Sequence, residues 1–443
     1  MSTATWIAQK VSGLHASAAN VSRSTRERLK ATLREKGEAL SPRMLRRTLQ
    51  VLQAIIDSRV SEVEGGRRAL TLAAWYAGAT PERRRDLWLL MSEQFLADPA
   101  KVKAAQAKFA AAVGTPDEAA AEVLYRRATV SPRRRLLQRF SVNTDGIRFL
   151  VDLRAEMQPF LKTDKRLLAL DVEMEYMFST WFDVGFLDLR RISWDSPASL
   201  LEKLIRYEAV HDIRSWADLK NRLDSDRRCY GFFHPRLPDE PLIFVEVALI
   251  DAMAASITPL LDESGAVADL KKATTAIFYS ISNTQQGLRG VSFGDSLIKR
   301  VVETLKGEFP KLKTFATLSP IPGLRAWLGR NAPEVAAQLQ EADVLAQDEK
   351  SRLRQALLQQ AARYLGREMT DGSPTDPVAR FHLGNGARVE RLNWAGDPSP
   401  KGLKQSYGLM VNYLYDLKRL DKHRALLESG KIAVSGELES LLA

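Results

Sequence analysis

Cysteine is nearly absent, with Cys229 the single one in the chain. It can form no intrachain disulfide and no multi-cysteine metal cluster, which suits a reducing cytoplasm and predicts a small buried or half-buried residue. Histidine is scarce too: His15, His211, His234, His382 and His423 are all there are. No His-Glu-x-x-His helix, Gly-x-Ser-x-Gly elbow or Walker phosphate loop occurs, so metalloprotease, α/β-hydrolase and P-loop chemistry find no footing, and no metal site is expected. Long apolar runs are missing. The most apolar window, residues 241–261, is broken by Glu246 and Asp251 and carries a proline near each end, which is too interrupted for a membrane span. Acids are missing from residues 1–26, which contain Lys10, Arg23 and Arg26. That is the composition of a transit peptide without the apolar core of a secretory signal, and the reading preferred is a basic, partly ordered terminus.

Charge of one sign is not lacking but not segregated either. The net +11 comes from 65 basic residues interspersed with 54 acidic ones, so no uniform basic face follows from the total. Arginines cluster at Arg46-Arg47, Arg67-Arg68, residues 83–85, Arg126-Arg127 and residues 133–135. Acids lie close to most of them and no nucleic-acid-binding motif accompanies them, so solvated faces or a subunit interface are expected and no nucleic-acid partner.

What is present starts with helices. With 45% hydrophobic residues the chain can bury a large core in two or three domains. Across residues 41–161 the pairs Ser41-Pro42, Thr80-Pro81, Thr115-Pro116 and Ser131-Pro132 each set a capping hydroxyl before a proline suited to a first helical turn. Glu118 completes a capping box at Thr115. About half a dozen helices are predicted. Further on, residues 230–234 and 242–250 read as a hairpin turning at residues 238–241.

The stretch around which the rest is arranged is residues 277–328. Residues 277–282 read as a buried strand; residues 285–294 form a glycine-rich loop; Leu297, Ile298, Val301, Val302 and Leu305 recur at helical spacing; residues 315–318 read as a second strand. A loop of this kind aims free N–H groups at the positive end of a helix, where a phosphate binds, and Gln286 and Arg289 would assist.

Residues 289–294, Arg-Gly-Val-Ser-Phe-Gly, resemble the pyrophosphate loop of the GNAT acyltransferase superfamily, with Ser292 in place of its middle glycine. Four blocks in order resemble malonyl-CoA decarboxylase more sharply: FYSISNTQQGLRGVSFG (278–294), LSPIPG (318–323), FHLGNGA with RLNW (381–394) and GLMVNYLY (408–415). The resemblance implies an α+β chain, an N-terminal all-α helical bundle over 1–163 followed by a GNAT-like mixed α/β catalytic domain with a central twisted sheet over 164–443. A helical insertion is expected at about 333–368.

Read singly, Ser319 is better explained as the N-cap of the helix containing Trp327, and His382 as a residue at a strand start before the Gly384-Asn385-Gly386 turn. The resemblance makes Ser319 and His382 the catalytic pair, with Tyr415 at the active site. It implies that Gln286, Arg289, Gly290, Val291, Ser292, Phe293, Gly294 and Asp295 bind the CoA pyrophosphate, with Asn283 assisting. The implied reaction takes malonyl-CoA to acetyl-CoA and CO2 with no cofactor, CoA being carried by the substrate. A GNAT-type N-acyltransferase is the alternative, distinguished by its products, and a CoA-sensing or nucleic-acid-binding module has only the arginine clusters in its favour. A homo-oligomer, dimer or tetramer, assembled through the helical region is expected.

Overall fold

The computed structural model describes residues 40–291 and 297–443. The basic N-terminal segment, with His15, and Ser292, Phe293, Gly294 and Asp295 of the loop lie outside the described residues. The chain forms two compact units, one ending at Asp183 but also taking the stretch from Gln285 to Ser292, the other formed by the remainder.

In the first unit the described helices are Pro42–Ile55, Glu62–Ala77, Pro81–Glu93, Pro99–Ala112, Glu118–Thr129, Pro132–Ser141, Gly146–Met157 and Leu168–Trp181. Ser41 and Thr80 cap as expected, their side chains accepting the N–H of Met44 and Arg83. The box at Thr115 does not form. The helix begins at Glu118 with Asp117 at the cap, and Glu118 Oε2 accepts the Gly114 N–H at 2.8 Å instead. Ser131 stands at the N-cap but makes no cap bond; its side chain is instead turned to Glu173, to which the hydroxyl donates at 2.9 Å. Leu45, Leu49, Leu52, Leu87, Leu90, Phe140, Leu150 and Val151 are buried, the helix-period stripes that hold such a bundle together.

Arg46, Arg67, Arg126 and Arg127 stand exposed as expected, but the clusters at residues 83–85 and 133–135 turn partly inward. Arg84 bonds Glu156 at 2.8 Å, Arg85 bonds Asp164 at 2.7 Å and Arg134 bonds Glu173 at 2.8 Å. Arg133 is buried and donates to the carbonyls of Met91 and Ser92 in the last turn of one helix, acceptors that would otherwise lack helical partners, and to that of Ala169 near the start of another.

The second unit is built on a mixed sheet, which gives the chain the α+β class expected. Its strands are β1 (Asp188–Ile192), β2 (Arg227–His234), β3 (Leu237–Ile250), β4 (Thr275–Asn283), β5 (Thr314–Thr317), β6 (Ser319–Pro320), β9 (Arg388–Asn393) and β10 (Met410–Leu414), while β7 (Met369–Thr370) and β8 (Ser373–Pro374) pair separately. The order is β1-β2-β3-β4-β5-β10-β6, with β9 also on β10. The hairpin β2–β3 forms, but its turn falls at Pro235-Arg236, where His234 Nδ1 accepts the Arg236 N–H at 3.1 Å. The expected turn residues 238–241 lie inside β3, tolerated because the pairing there is irregular and a proline at a bulge loses no ladder bond.

Of the strand, glycine loop, helix, strand order expected over residues 277–328, both strands and the helix are present, and the loop is described over residues 285–291. Strand β4 pairs β5 in parallel, but only over Thr275 to Phe278, so the rest of β4 runs on without β5 beside it. The helix Leu297–Glu308 buries Leu297, Ile298, Val301, Val302 and Leu305, the five residues whose spacing announced it. Residues 333–368 hold two helices, Pro333–Glu341 and Arg352–Gly366.

Candidate active site

Strand β6 is two residues long, and its place is set by β10, which pairs Val411 with Ser319 and Met410 with Pro320. Ser319 is therefore a strand residue and not the cap of the Trp327 helix, Leu324–Asn331, whose N-cap is Gly323. Its Oγ donates to Thr317 Oγ1 at 2.8 Å, and the same Thr317 oxygen accepts the Tyr413 N–H at 3.1 Å. Asn412 Nδ2 donates to the Thr317 carbonyl at 2.7 Å. The segment from Thr317 to Ser319 is thus held by three consecutive residues of β10.

His382 does not sit at a strand start. It occupies the last turn of the helix Pro377–Gly384, which begins because Asp376 caps it and Pro377 fills its first position. The Asp-Pro pair was a helix signal hidden within residues 370–377, a run that otherwise reads as loop. From that turn the imidazole Nε2 lies 3.3 Å from Ser319 Oγ, and Nδ1 lies 2.7 Å from the Tyr415 hydroxyl. Tyr413 stacks on the ring at 4.7 Å and Phe381 meets it edge-on at 5.1 Å. Tyr415 in turn faces Phe278 of β4 at 6.4 Å. The structure brings Ser319, His382 and Tyr415 into one hydrogen-bonded chain inside an aromatic wall.

Electrostatics follow from that wall. Burial alone pushes the His382 imidazole down to about 3 and the Tyr415 hydroxyl up, so the pair rests neutral, since a charged form would be stripped of water. An unfolded histidine titrates near 6.5. Between that value and about 3 the unfolded chain binds the proton and the folded one does not, so His382 lowers stability as pH falls through this window. Urea unfolding at about pH 7.5 and about pH 5 should show the parent losing more on acidification than His382→Asn. Equal losses would disprove the buried neutral imidazole.

The expected CoA-binding residues fall in two places. Asn283 is the exposed end of β4. Gln286, Arg289, Gly290 and Val291 belong to the helical unit, where the backbone of this stretch is tightly held. A Cβ on Gly287 would sit 1.9 Å from the Val151 carbonyl oxygen. Gly290 takes φ +84°, which suits only glycine without strain. Gln286 and Arg289 keep exposed side chains while the Arg289 carbonyl accepts from Arg154 at 2.9 Å.

Arg154 is a residue that reading the sequence for function missed. It is 1% exposed and donates to the carbonyls of Gly287 and Arg289, both at 2.9 Å, while Asp171 pairs its Nε at 2.8 Å. A signal did exist. Ile147, Leu150, Val151, Arg154 and Met157 share one helical face, and an arginine on an apolar face needs buried partners. Thr317 gave no comparable sign, being one more β-branched residue in a strand.

Among the described residues, no group of three or more His, Cys, Asp and Glu side chains could hold a metal ion. No described helix is long and apolar enough to cross a membrane.

A family model described as the malonyl-CoA decarboxylase C-terminal domain matches residues 185–443, and one described as the malonyl-CoA decarboxylase N-terminal domain matches residues 95–182. Among solved structures, the chain is similar to the malonyl-CoA decarboxylase of Rhodopseudomonas palustris, at 42% identity over 89% of this chain and 99% of that one with a TM-score of 0.81. It is also similar to that of Cupriavidus metallidurans, at 44% identity over 90% of this chain and all of that one with a TM-score of 0.72. A mitochondrial malonyl-CoA decarboxylase of Anser anser anser is 35% identical over 426 residues, 87% of this chain and 84% of the relative. With the two domain models, the relatives and the solved structures in agreement, the chain belongs to the malonyl-CoA decarboxylase family, carboxy-lyases that act on malonyl-CoA.

Proposed function

We propose that Ser319, His382 and Tyr415 carry out the decarboxylation, and the observation that carries this reading is the contact chain Ser319 Oγ, His382 Nε2, His382 Nδ1, Tyr415 OH within a buried aromatic wall. Loss of CO2 from malonyl-CoA breaks the bond between the carboxylate carbon and the α-carbon, and its electron pair moves into the thioester carbonyl as an enolate. The α-carbon must then receive a proton. Neutral His382 acquires one when the malonyl carboxylate arrives, because a nearby anion favours imidazolium over imidazole. Ser319 turns its hydroxyl from Thr317 to the carboxylate and holds it. As CO2 leaves, Nε2–H passes its proton to the α-carbon, and the remaining Nδ1–H goes on donating to the Tyr415 oxygen, which keeps the ring oriented. The sum is malonyl-CoA plus one proton giving acetyl-CoA and CO2. Dry aromatic walls help, since the carboxylate charge disperses as the bond breaks.

The thioester carbonyl is the electron sink, so the scheme asks for no metal and no organic cofactor. Gln286, Arg289, Gly290 and Val291, with Ser292, Phe293, Gly294 and Asp295, are proposed to hold the CoA pyrophosphate, supported by the exposed Arg289 side chain on a pinned backbone, and Asn283 is proposed to bond a CoA amide. The test is to give the purified chain malonyl-CoA without metal or acceptor, following CO2 and acetyl-CoA in the parent and in variants of Ser319 and His382. Free CoA with an acylated acceptor and no CO2 would instead make the chain an acyltransferase.

A homo-oligomer, dimer or tetramer, is part of this reading. The helix Pro99–Ala112 buries no residue, and Val113, Val123 and Leu124 beside it stand exposed, more apolar surface than an isolated hairpin keeps in water. Sedimentation equilibrium returning only a 49.6 kDa species would remove the idea. A cytoplasmic location is proposed from the lone cysteine.

A further inference from the structure

One carboxylate touches both arms of the Ser319–His382 pair. Asp376 is 1% exposed. Its Oδ1 accepts the N–H groups of Val378 and Ala379, at 2.9 and 3.0 Å, and so starts the helix that carries His382 six residues on. Its Oδ2 accepts the Gly323 N–H and the Tyr364 hydroxyl, both at 3.3 Å. Gly323 closes the stretch Ser319-Pro320-Ile321-Pro322-Gly323, whose two prolines make it a stiff arm, so a restraint on Gly323 reaches Ser319 four residues back. The arm can come this close only because residue 323 is glycine: a Cβ there would lie 2.1 Å from the Tyr364 hydroxyl. Tyr364 is itself braced, its ring 5.3 Å from that of Trp327 in the helix that follows Gly323.

A helix cap needs only Oδ1. The second oxygen, spent on the opposite arm, has no role in capping and joins two segments that are distant in sequence. We propose that Asp376 is a positioning residue that sets the separation of Ser319 and His382 by clamping the serine arm to the start of the histidine helix. This rests on the assignment of Ser319 and His382 as the reacting pair.

Two substitutions separate clamp from cap. Asp376→Asn keeps an oxygen for Val378 and Ala379, since asparagine caps as well as aspartate, but turns a donor toward the Gly323 N–H; Asp376→Ser keeps the cap oxygen and removes the other. Both are expected to lower kcat for malonyl-CoA about tenfold to a hundredfold, the scale of a small misplacement of reacting groups, while KM stays within about twofold. In a Ser319→Ala background, where there is no serine left to position, the same substitutions are expected to change the residual rate by less than about twofold. Parental kcat in Asp376→Asn and Asp376→Ser, or a loss that multiplies in full onto Ser319→Ala, overturns the proposal. So does failure of both variants to fold, which would make Asp376 a general structural residue. A Ser319→Ala variant as active as the parent strikes the reacting pair instead, whatever Asp376 does.

Discussion

Ser319→Ala and His382→Asn each lower malonyl-CoA turnover by at least about a hundredfold, His382 as a lost acid–base group and Ser319 as the lost orientation of the departing carboxylate. His382→Asn places an amide where Nδ1 stands, so it can keep a bond to Tyr415, but it has nothing in the position of Nε2 to deliver a proton to carbon. Ser319→Ala leaves His382 and its stacking on Tyr413 in place and removes only the hydroxyl that would hold the carboxylate. The His382 loss belongs in kcat with KM moving little, because the proton transfer follows binding, whereas Ser319→Ala lowers kcat and also raises KM, because its hydroxyl holds the carboxylate of the bound substrate. The double variant should be barely slower than the slower single one, since the hydroxyl that orients the carboxylate and the imidazole that protonates carbon act on one substrate group as a unit. Turnover within about threefold of the parent in either variant would remove that residue from the chemistry.

Arg154→Met destabilises the chain by about 3–5 kcal/mol, the cost of removing one partner from a buried ion pair. The weight rests on Asp171 and on two carbonyls, since Glu175, the other acid near the guanidinium, is 42% exposed and contributes little. Methionine fills much of the volume, so packing alone would predict a small effect. What it cannot do is satisfy the carbonyls of Gly287 and Arg289 or neutralise Asp171, which is left buried with its charge. Arg154→Lys should rescue little, because one ammonium cannot serve a carboxylate and two carbonyls in the planar geometry a guanidinium offers. Urea unfolding would read the change, and a loss below about 1 kcal/mol would mean the loop is held by packing instead. Weakened CoA binding in a partly stable variant would tie the same arginine to function.

Much of this was legible in the chain itself. Hydroxyl-proline pairs located the starts at Pro42 and Pro81 because capping is settled within four residues. The strand, glycine loop, helix, strand order was legible because periodicity is local, and Ser319, His382 and Tyr415 were reached through resemblance in four ordered blocks. Where local signals misled, the causes differed: at Ser131 a distant partner, Glu173, drew the hydroxyl away from its own helix, whereas the β2–β3 turn closed over a nearer local bond, His234 to Arg236, and strand pairing ran on through the prolines.

By itself, then, the amino-acid order determined where most of the helices and the strands around the glycine loop lie, which family the chain resembles, and which residue types stand ready to react. Only the tertiary structure decided that Ser319 and His382, 63 residues apart, lie 3.3 Å from each other, that His382 is neutral, and that Arg154 spends its charge inside the protein on a glycine loop. The physical reason is range. Propensity and capping act over a few neighbouring residues, whereas a hydrogen bond between distant segments, or the charge of a side chain, depends on strand register and on how much water the assembled fold leaves around it.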